Sequence, residues 1–368
     1  MDPGRKLHEF YLRIVDPEAS GSLVSLARGF LWPLSLVYGG VVWIRNALYY
    51  QGYLSSQRAA LPVISVGNIM TGGTGKTPFC AWLAAFLRSD GLQPAILSRG
   101  YGRDEATGVD DENRMLSSVA PEVPIVVNPD RVEGAERART STGANVVVLD
   151  DGFQHRRLAR DMDIVLVDAL MPFGGGHLLP RGLLREPPGE LARADVIVIT
   201  RSDLVSREEL RDMRLRIGEF APETPVACAA HRPSSLQKLL PGGGREQEPL
   251  DRLADGRWGA FCGIGNPRAF RDTLLDMETE LALFRPFPDH HGYDTGELRE
   301  LMGEAQKTGC DALVTTEKDA GKLSPLLQSL PQVPVYVLAV GMEITENENG
   351  LKDLLRERIA DRGRGRSC

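Results

Sequence analysis

An α/β fold built on a parallel sheet is what this 368-residue chain predicts, and three observations carry the expectation. Short β-branched runs recur through residues 61–204, several of them separated by helical stretches. That is the sequence form of strands covered by helices on both faces. A glycine-rich turn closes the first run and opens an amphipathic helix. A second set of short runs follows from about residue 205, and the length of the chain suits two domains, each with its own core.

Residues 1–60 differ from the rest. Between Arg28 and Arg45 lies an uncharged run of 16 residues, Gly29 to Ile44, with Phe30, Leu31, Trp32, Leu34, Leu36, Val37 and Tyr38. A bilayer span takes about 20 apolar residues, and Pro33 and the Gly39-Gly40 pair interrupt this shorter run. With Arg28, Arg45, Arg58, Trp32, Trp43, Tyr49, Tyr50 and Tyr53 around it, the segment reads as membrane-associated helices lying at the interface rather than crossing it. The alternative is ordinary packing on the neighbouring domain.

The nucleotide-binding domain is expected over 61–204. Its first strand is Val63–Val66, followed by Met70-Thr71-Gly72-Gly73-Thr74-Gly75-Lys76-Thr77. Phe79, Trp82, Leu83, Phe86 and Leu87 then fall on one helical face, and Gly91 stops the helix. Glycines let backbone N–H groups turn onto phosphate oxygens, and the helix N-terminus adds partial positive charge. Lys76 would reach the β- and γ-phosphates and Thr77 would offer its hydroxyl to Mg²⁺. The usual pattern has a glycine where Met70 stands, so Gly72 and Gly73 must supply the turn.

Further strands are expected at Ala95–Ser98, Pro124–Val127, Val146–Leu149, Ile164–Val167 and Val196–Ile199. Functional groups in such sheets gather at the carboxyl ends of strands. There the chain places Arg99, which could meet phosphate or pair with an aspartate, and Asp150-Asp151, an acidic pair suited to Mg²⁺ beside a phosphate loop. Gly152-Phe153-Gln154-His155-Arg156-Arg157 is too polar for a simple connection. Residues 172–190 form a long loop rich in Pro, Gly and Arg, in which Arg181 and Arg185 suit an anionic substrate.

A smaller α/β domain is expected over 205–345, with strands at Val226–Ala229, Gly259–Cys262, Leu281–Arg285, Ala312–Thr316 and Val335–Val340. Gly263-Ile264-Gly265-Asn266-Pro267 lacks the third glycine of a dinucleotide fingerprint and reads as a tight βα turn. Phe287-Pro288-Asp289-His290-His291 could be catalytic, metal-binding or structural. Residues 346–368 form a charged C-terminal helix and tail. A net charge of −7 and a pI near 5.5 argue against nucleic acid as the main partner. The five cysteines lack metal-ligand spacing and no secretory signal is evident, which fits reduced thiols in a cytosolic setting.

Several of these motifs in this order resemble the tetraacyldisaccharide 4′-kinase family, the lipid A 4′-kinases of Gram-negative bacteria. They are Ser65-Val66-Gly67-Asn68 before Gly72–Pro78, Ser98–Gly102, Asp150–His155, Leu179-Pro180-Arg181-Gly182 with Leu184-Arg185-Glu186, and Phe287–His291. The resemblance implies a P-loop NTPase-like parallel sheet and a kinase that moves the γ-phosphate of ATP to the 4′-hydroxyl of an acylated glucosamine disaccharide phosphate. It also implies a peripheral, monotopic location on the cytoplasmic face of the inner membrane. By resemblance Asp111, in Asp110-Asp111-Glu112-Asn113, acts with His290 as the base and Lys76 supports the transferred phosphoryl group, with Asp110 as the alternative to Asp111. Arg99, His155, Arg181 and Arg185 fall in motifs that face substrate, and the smaller domain would close as a lid during turnover.

Two other readings belong beside it. Thr200-Arg201-Ser202-Asp203 is similar to a guanine-reading strand-end pattern with arginine in place of lysine, which would make the chain a GTP-binding protein. A membrane-surface nucleotide switch without a lipid acceptor would carry lysine before the Gly-Gly pair, where Thr71 stands.

Overall fold

A computed structural model describes residues 11, 13–15, 19–100, 116, 120–240, 244–288, 291–323, 326 and 333–364. The contacts divide the chain into two compact units. One holds the described residues up to Arg99, Val123–Ala230 and the chain from Glu343; the other holds His231–Met342. The division at Ala230/His231 leaves the helix after residue 205 with the nucleotide-binding unit.

The first unit begins with α1, Ser22–Tyr50, an unbroken 29-residue helix. Pro33 and the Gly39-Gly40 pair, expected to interrupt it, lie inside. A proline costs one backbone hydrogen bond and crowds the preceding turn. Gly39 has a positive use, because a Cβ there would meet Leu178 Cδ1 at 2.9 Å. At about 1.5 Å per residue the helix is roughly 44 Å long, and by length and composition it could cross a bilayer.

Next come β1 (Val63–Asn68), α2 (Lys76–Ser89), β2 (Pro94–Ser98), β3 (Ile125–Val127) and α3 (Arg131–Thr142). They are followed by β4 (Val146–Asp150), β5 (Met162–Asp168), β6 (Val196–Thr200), α4 (Arg207–Phe220) and the start of β7 (Val226–Leu239). The strands pair in parallel in the order β7-β6-β5-β1-β4-β2-β3. All five residues of β4 and all seven of β5 are buried, which explains their unbroken apolar runs. Helix α2 buries Phe79, Cys80, Leu83, Ala84 and Leu87 completely.

The strand order matters for function. From β1 the chain goes to β2 and β3, returns to β4 beside β1, then crosses to β5 on the other side. Beyond the carboxyl end of β1 the connections therefore diverge, and such a switch point is where open α/β sheets bind ligands. The glycine loop sits there.

The second unit carries β8 (Arg245–Glu248), β9 (Arg257–Cys262), α5 (Pro267–Asp276), β10 (Glu280–Pro286), α6 (Thr295–Lys307), β11 (Ala312–Thr316), α7 (Glu317–Leu323) and most of β12 (Val335–Glu346). Strands β10, β9, β11 and β12 pair in parallel in that order. Strand β8 pairs antiparallel with the outer half of β7, which runs ten residues past its predicted end at Ala229. Asn266 caps α5 through Ala269 N at 3.1 Å, consistent with a βα turn at Gly263–Pro267. Helix α8 (Glu348–Arg364) closes the chain within the first unit. There Arg356 pairs with Asp90 and Arg358 with Asp195.

Candidate active site

The glycine loop is fixed on several sides by side chains distant in sequence. Gly72 (φ +115°) and Gly75 (φ +85°) hold left-handed conformations that an L side chain would strain. Asn68, the last residue of β1, donates its Nδ2 to Thr74 Oγ1 at 2.9 Å inside the protein. Thr200, the last residue of β6, donates its hydroxyl to the Thr74 carbonyl at 2.9 Å. Gln154 donates to Asn68 O at 2.7 Å. A Cβ on Gly67 would lie 2.6 Å from Phe153 Cβ, so glycine is what lets the Asp150–His155 segment close on β1.

Met70 and Thr71 do not turn into the cradle. Met70 is buried and bridges antiparallel to Leu184, while Thr71 N donates to Leu183 O at 2.8 Å. Arg185 N and Glu186 N both donate to Ile69 O, at 2.8 and 3.2 Å. The 172–190 loop is thus laced onto the approach to the phosphate loop, and the cradle proper is Gly72–Thr77.

Asp150 and Asp151 part company at the end of β4. Asp151 turns back with φ +52°. One guanidinium nitrogen of Arg185 donates to both its carboxylate oxygens at 2.9 Å, and Lys76 Nζ lies at 3.5 Å. Burial alone would raise the Asp151 pKa, but Lys76 and Arg185 outweigh it and hold the carboxyl below its usual range. Asp150 is buried, with Oδ1 3.7 Å from the Cys80 thiol. Cys80 lies three residues beyond Thr77 on α2, so Thr77 and Cys80 share a helix face and that face looks at Asp150. Burial, reinforced by Asp150, pushes the Cys80 thiol far up, so it stays protonated.

This donor set suits Mg²⁺. It offers a threonine hydroxyl and a strand-end carboxylate, both hard oxygens, and Mg²⁺ takes one or two such groups together with substrate phosphates. Among the described residues no cluster of three or more His, Cys, Asp or Glu could form a self-sufficient metal cage, which also fits that mode of binding.

The surroundings are cationic. Arg131 is buried and donates to Asp150 O at 3.3 Å. Burial pulls its pKa down to about 10, Asp150 and Asp151 push the other way, and exposed Arg99 lowers it further. Lys76, Arg185, Arg131 and Arg99 therefore gather around two carboxylates, an arrangement that favours a polyanion. His155 faces the Arg131 side. Burial first, then Arg131 and Arg160, bring its pKa to about 4, and its Nε2 is buried without a hydrogen-bond partner. It is a neutral imidazole at neutral pH.

Arg181 lies four residues from Arg185 but belongs to a different neighbourhood. Its N–H donates to Ser35 Oγ on α1 at 3.0 Å. With Ser25, Arg28, Gly29 and Trp32 it lines a shallow groove of about 480 Å³. The inward face of α1 buries Val24 and Val42 but docks through polar groups as well: Ser35 donates to Leu178 O at 2.9 Å, Tyr38 to Arg185 O at 3.0 Å, and Arg45 pairs with Glu186 at 2.6 Å. Glu186 is fully buried and pairs also with Arg193 at 2.5 Å. The apolar residues face outward, with Phe30 74 %, Val37 67 % and Trp43 70 % exposed.

In the second unit the described part of the Phe287–His291 motif is tightly held. His291 stacks on Phe287 with centroids 4.7 Å apart, and its Nε2 lies 3.0 Å from Glu297 Oε2. Its N–H donates to Pro288 O at 3.1 Å. Asp319, completely buried, accepts from Gly263 N at 2.9 Å and Thr316 Oγ1 at 2.7 Å. His290, Asp110 and Asp111 lie outside the described residues.

Sequence reasoning did not single out Asn68, Asp168, Glu186 or Thr200. Each sits at or just past a strand end or inside a quoted motif, but the group it pairs with across the site lies between 6 and 141 residues away.

The chain is similar to known proteins along most of its length. The family model described as tetraacyldisaccharide-1-P 4′-kinase matches residues 27–360. A tetraacyldisaccharide 4′-kinase of Anaeromyxobacter dehalogenans is 39 % identical over 353 residues, 92 % of each chain. One from Syntrophus aciditrophicus is 37 % identical over 349 residues, covering 89 % of this chain and 92 % of the relative. Among solved structures, the "apo" form of LpxK from Aquifex aeolicus in complex with ATP is similar with a TM-score of 0.68 and 30 % identity, over 90 % of this chain and 99 % of that one.

Proposed function

The chain belongs to the tetraacyldisaccharide-1-P 4′-kinase family, and from that membership we infer the reaction and the residues that perform it. The protein is an ATP-dependent kinase that phosphorylates the 4′-hydroxyl of the tetraacyldisaccharide 1-phosphate precursor of lipid A. The observation that carries the assignment to this site is the convergence of Lys76, Asp150, Asp151 and Arg185 beside the Gly72–Thr77 loop.

Phosphoryl transfer asks the protein for in-line placement and neutralisation of charge, with little covalent chemistry. The amides of the Gly72–Thr77 turn and the N-terminus of α2 receive the triphosphate. Lys76, held by Asp151 in the resting site, moves its charge onto the phosphoryl oxygens. Thr77 and Asp150 would hold Mg²⁺, which would supply neutralisation of the phosphates' negative charge. Arg185 keeps Asp151 ionised and in place. Asp111, paired with His290 as the resemblance suggests, accepts the proton of the sugar hydroxyl.

The acceptor is an acylated sugar, and α1 suits its setting. A face bearing Phe30, Val37 and Trp43 gains about 1.5–3 kcal/mol per large side chain on leaving water, and the polar face is already satisfied by the 172–190 loop. The helix therefore lies with its apolar side in the cytoplasmic leaflet of the inner membrane. The groove of Arg28 and Arg181 at its edge suits the anionic end of the acceptor, so Arg181 and Arg185 serve opposite parts of one substrate.

The guanine-reading alternative is not favoured, because the matching family model and the curated relatives are tetraacyldisaccharide 4′-kinases. The decisive experiment follows the γ-phosphate of labelled ATP. An acceptor-dependent phosphorylated lipid is the expected product, and release of free phosphate alone would overturn the assignment. In the same assay Asp111→Asn and His290→Ala should each lower kcat by about 10²–10⁴, and the double substitution far less than their product, because paired groups act as a unit. An active Asp111→Asn would move the role to Asp110.

A further inference from the structure

In the Thr200–Asp203 motif, the side chain of Arg201 reaches two different loops. It follows β6 directly and has φ +56°, a left-handed backbone that a non-glycine residue adopts at a cost. Its Nη1 pairs with Asp168 Oδ2, and its Nη2 donates to the Gly73 carbonyl at 2.8 Å. Asp168 ends β5 and stands in register with Thr200. Its Oδ1 accepts from Leu170 N at 3.1 Å, so the carboxylate also ties down the start of the 169–190 loop. Thr200 meanwhile holds the next loop carbonyl, that of Thr74.

Two successive carbonyls of the glycine loop are thus gripped from the same strand end. In a planar trans peptide the C=O and the following N–H point in opposite directions. Holding Gly73 O and Thr74 O against the end of β6 turns the N–H groups of Thr74 and Gly75 away from it. A guanidinium holds its donors in a rigid plane, one here for the carboxylate and one for the carbonyl, whereas the three donors of an ammonium on a flexible stem are not fixed in that geometry. Asp168 is needed as well, because it fixes the guanidinium and offsets its charge in a partly buried place.

We propose that Arg201, backed by Asp168 and joined by Thr200, is a positioning residue for the donor nucleotide: it sets the amide orientation of the Gly72–Thr77 loop and so determines affinity for the triphosphate. The proposal rests on the reading of that loop as the ATP site. It gives the Thr-Arg-Ser-Asp motif a task independent of base recognition.

The test is steady-state kinetics with both substrates varied, on full-length protein in detergent micelles. Arg201→Met should raise the KM for ATP about 10- to 100-fold, the worth of a charge-assisted hydrogen bond. It should change the KM for the acceptor less than about threefold and largely retain kcat at saturating ATP. Arg201→Lys should recover only part of the loss. Asp168→Asn should raise the KM for ATP in the same way, and the double variant should be no worse than Arg201→Met alone, since both act through one guanidinium. Equal losses for ATP and acceptor, full additivity with Asp168→Asn, or an unchanged KM for ATP would each overturn the proposal. If Arg201→Met does not fold, Asp168→Asn and Arg201→Lys carry the same comparison. Lys76→Met serves as the control: an active Lys76→Met would remove the nucleotide-loop reading itself, whereas an inactive one with normal ATP affinity in Arg201→Met would remove only the role of Arg201.

Discussion

Helices α1 and α2 are consecutive in the first unit, yet they differ in what they bury: α2 an apolar stripe, α1 a largely polar one. Helix α2 turns Phe79, Leu83 and Leu87 into the sheet and presents its N-terminus to the phosphate loop. Helix α1 turns Ser35, Tyr38, Arg45 and Asn46 inward beside Val24 and Val42, and leaves Phe30, Val37, Val41 and Trp43 outside. Both show helical periodicity, but for α2 the apolar stripe marks the protein's own core. For α1 it marks a face that the described residues leave exposed. The polar stripe of α1 is what docks, through backbone carbonyls of the 172–190 loop and the buried Glu186. Amphipathicity predicts that a helix will bury something; the polar residues decide which side meets the protein.

The largest contrast is catalytic. Lys76→Met, at the first turn of α2, should lower turnover by at least about 10²–10³, the usual effect of removing a donor aimed at developing charge, while the thermal midpoint stays near wild type. Changes on the outer face of α1 should leave kcat in detergent micelles within a few-fold. Near-normal turnover by a folded Lys76→Met protein would end the nucleotide-loop assignment.

Stability should divide the same way. Leu83→Ala opens a cavity in a fully buried position and should cost about 2–5 kcal/mol. Phe30→Ala, at a side chain 74 % exposed, should stay within about 0.5 kcal/mol of wild type. Denaturant titration in micelles gives both values. Comparable losses would mean that the outer face of α1 packs against protein after all.

These contrasts also show what the sequence could tell. Five strands of 61–204 were legible because their apolar runs are buried on both sides; the half-buried β3 was legible from its β-branched run and the helix after the loop from its apolar stripe. The outer half of β7 and strand β8 were not, because His231, Arg232, Lys238 and Arg245–Glu248 are polar and half-exposed or exposed, and such a strand has no hydrophobic alternation to betray it. Lys76, Asp151 and Arg185 were legible as separate motifs. That Arg185 and Lys76 share Asp151 was not, since the contact spans 34 and 75 residues of chain. Glu186 was quoted only as part of a motif, and nothing local signals a fully buried acid whose cations come from α1 and from Arg193.

Membrane affinity is the next measure of the difference. Phe30→Glu with Trp43→Glu removes two outward side chains without touching the docking face, and should lower sedimentation with anionic vesicles tenfold or more. Each lost apolar side chain forfeits about 1.5–3 kcal/mol of burial. Leu31 is a poorer choice, because it lies on the half-buried side. Salt near 1 M should release only part of the wild-type protein, since charge attraction is screened and apolar burial is not. Undiminished pelleting by the folded double variant would show that α1 is not the anchor.

The smallest expected effect separates two neighbours in one loop, one facing each region. Arg156 lies over the rings of Tyr49 and Tyr50 at the end of α1, 5.1 and 4.4 Å from their centroids. His155 turns the other way, into burial beside Arg131 and Arg160, which bring its pKa to about 4. In the unfolded chain a histidine titrates near 6.5. Between roughly pH 6.5 and 4 the unfolded state therefore takes up a proton that the folded state refuses, and the folded state loses ground as the pH falls. Above pH 6.5 this contribution is fully present. His155→Gln should flatten the stability–pH curve across that window relative to wild type, with little change at pH 7.5. Arg156→Gln should shift the curve without changing its slope. Denaturant midpoints measured at half-unit intervals from pH 4 to 7.5 decide it. A His155→Gln curve parallel to wild type would mean that this imidazole takes up its proton alike in the folded and unfolded states, in a wetter, less cationic place than the Arg131–Arg160 pocket provides.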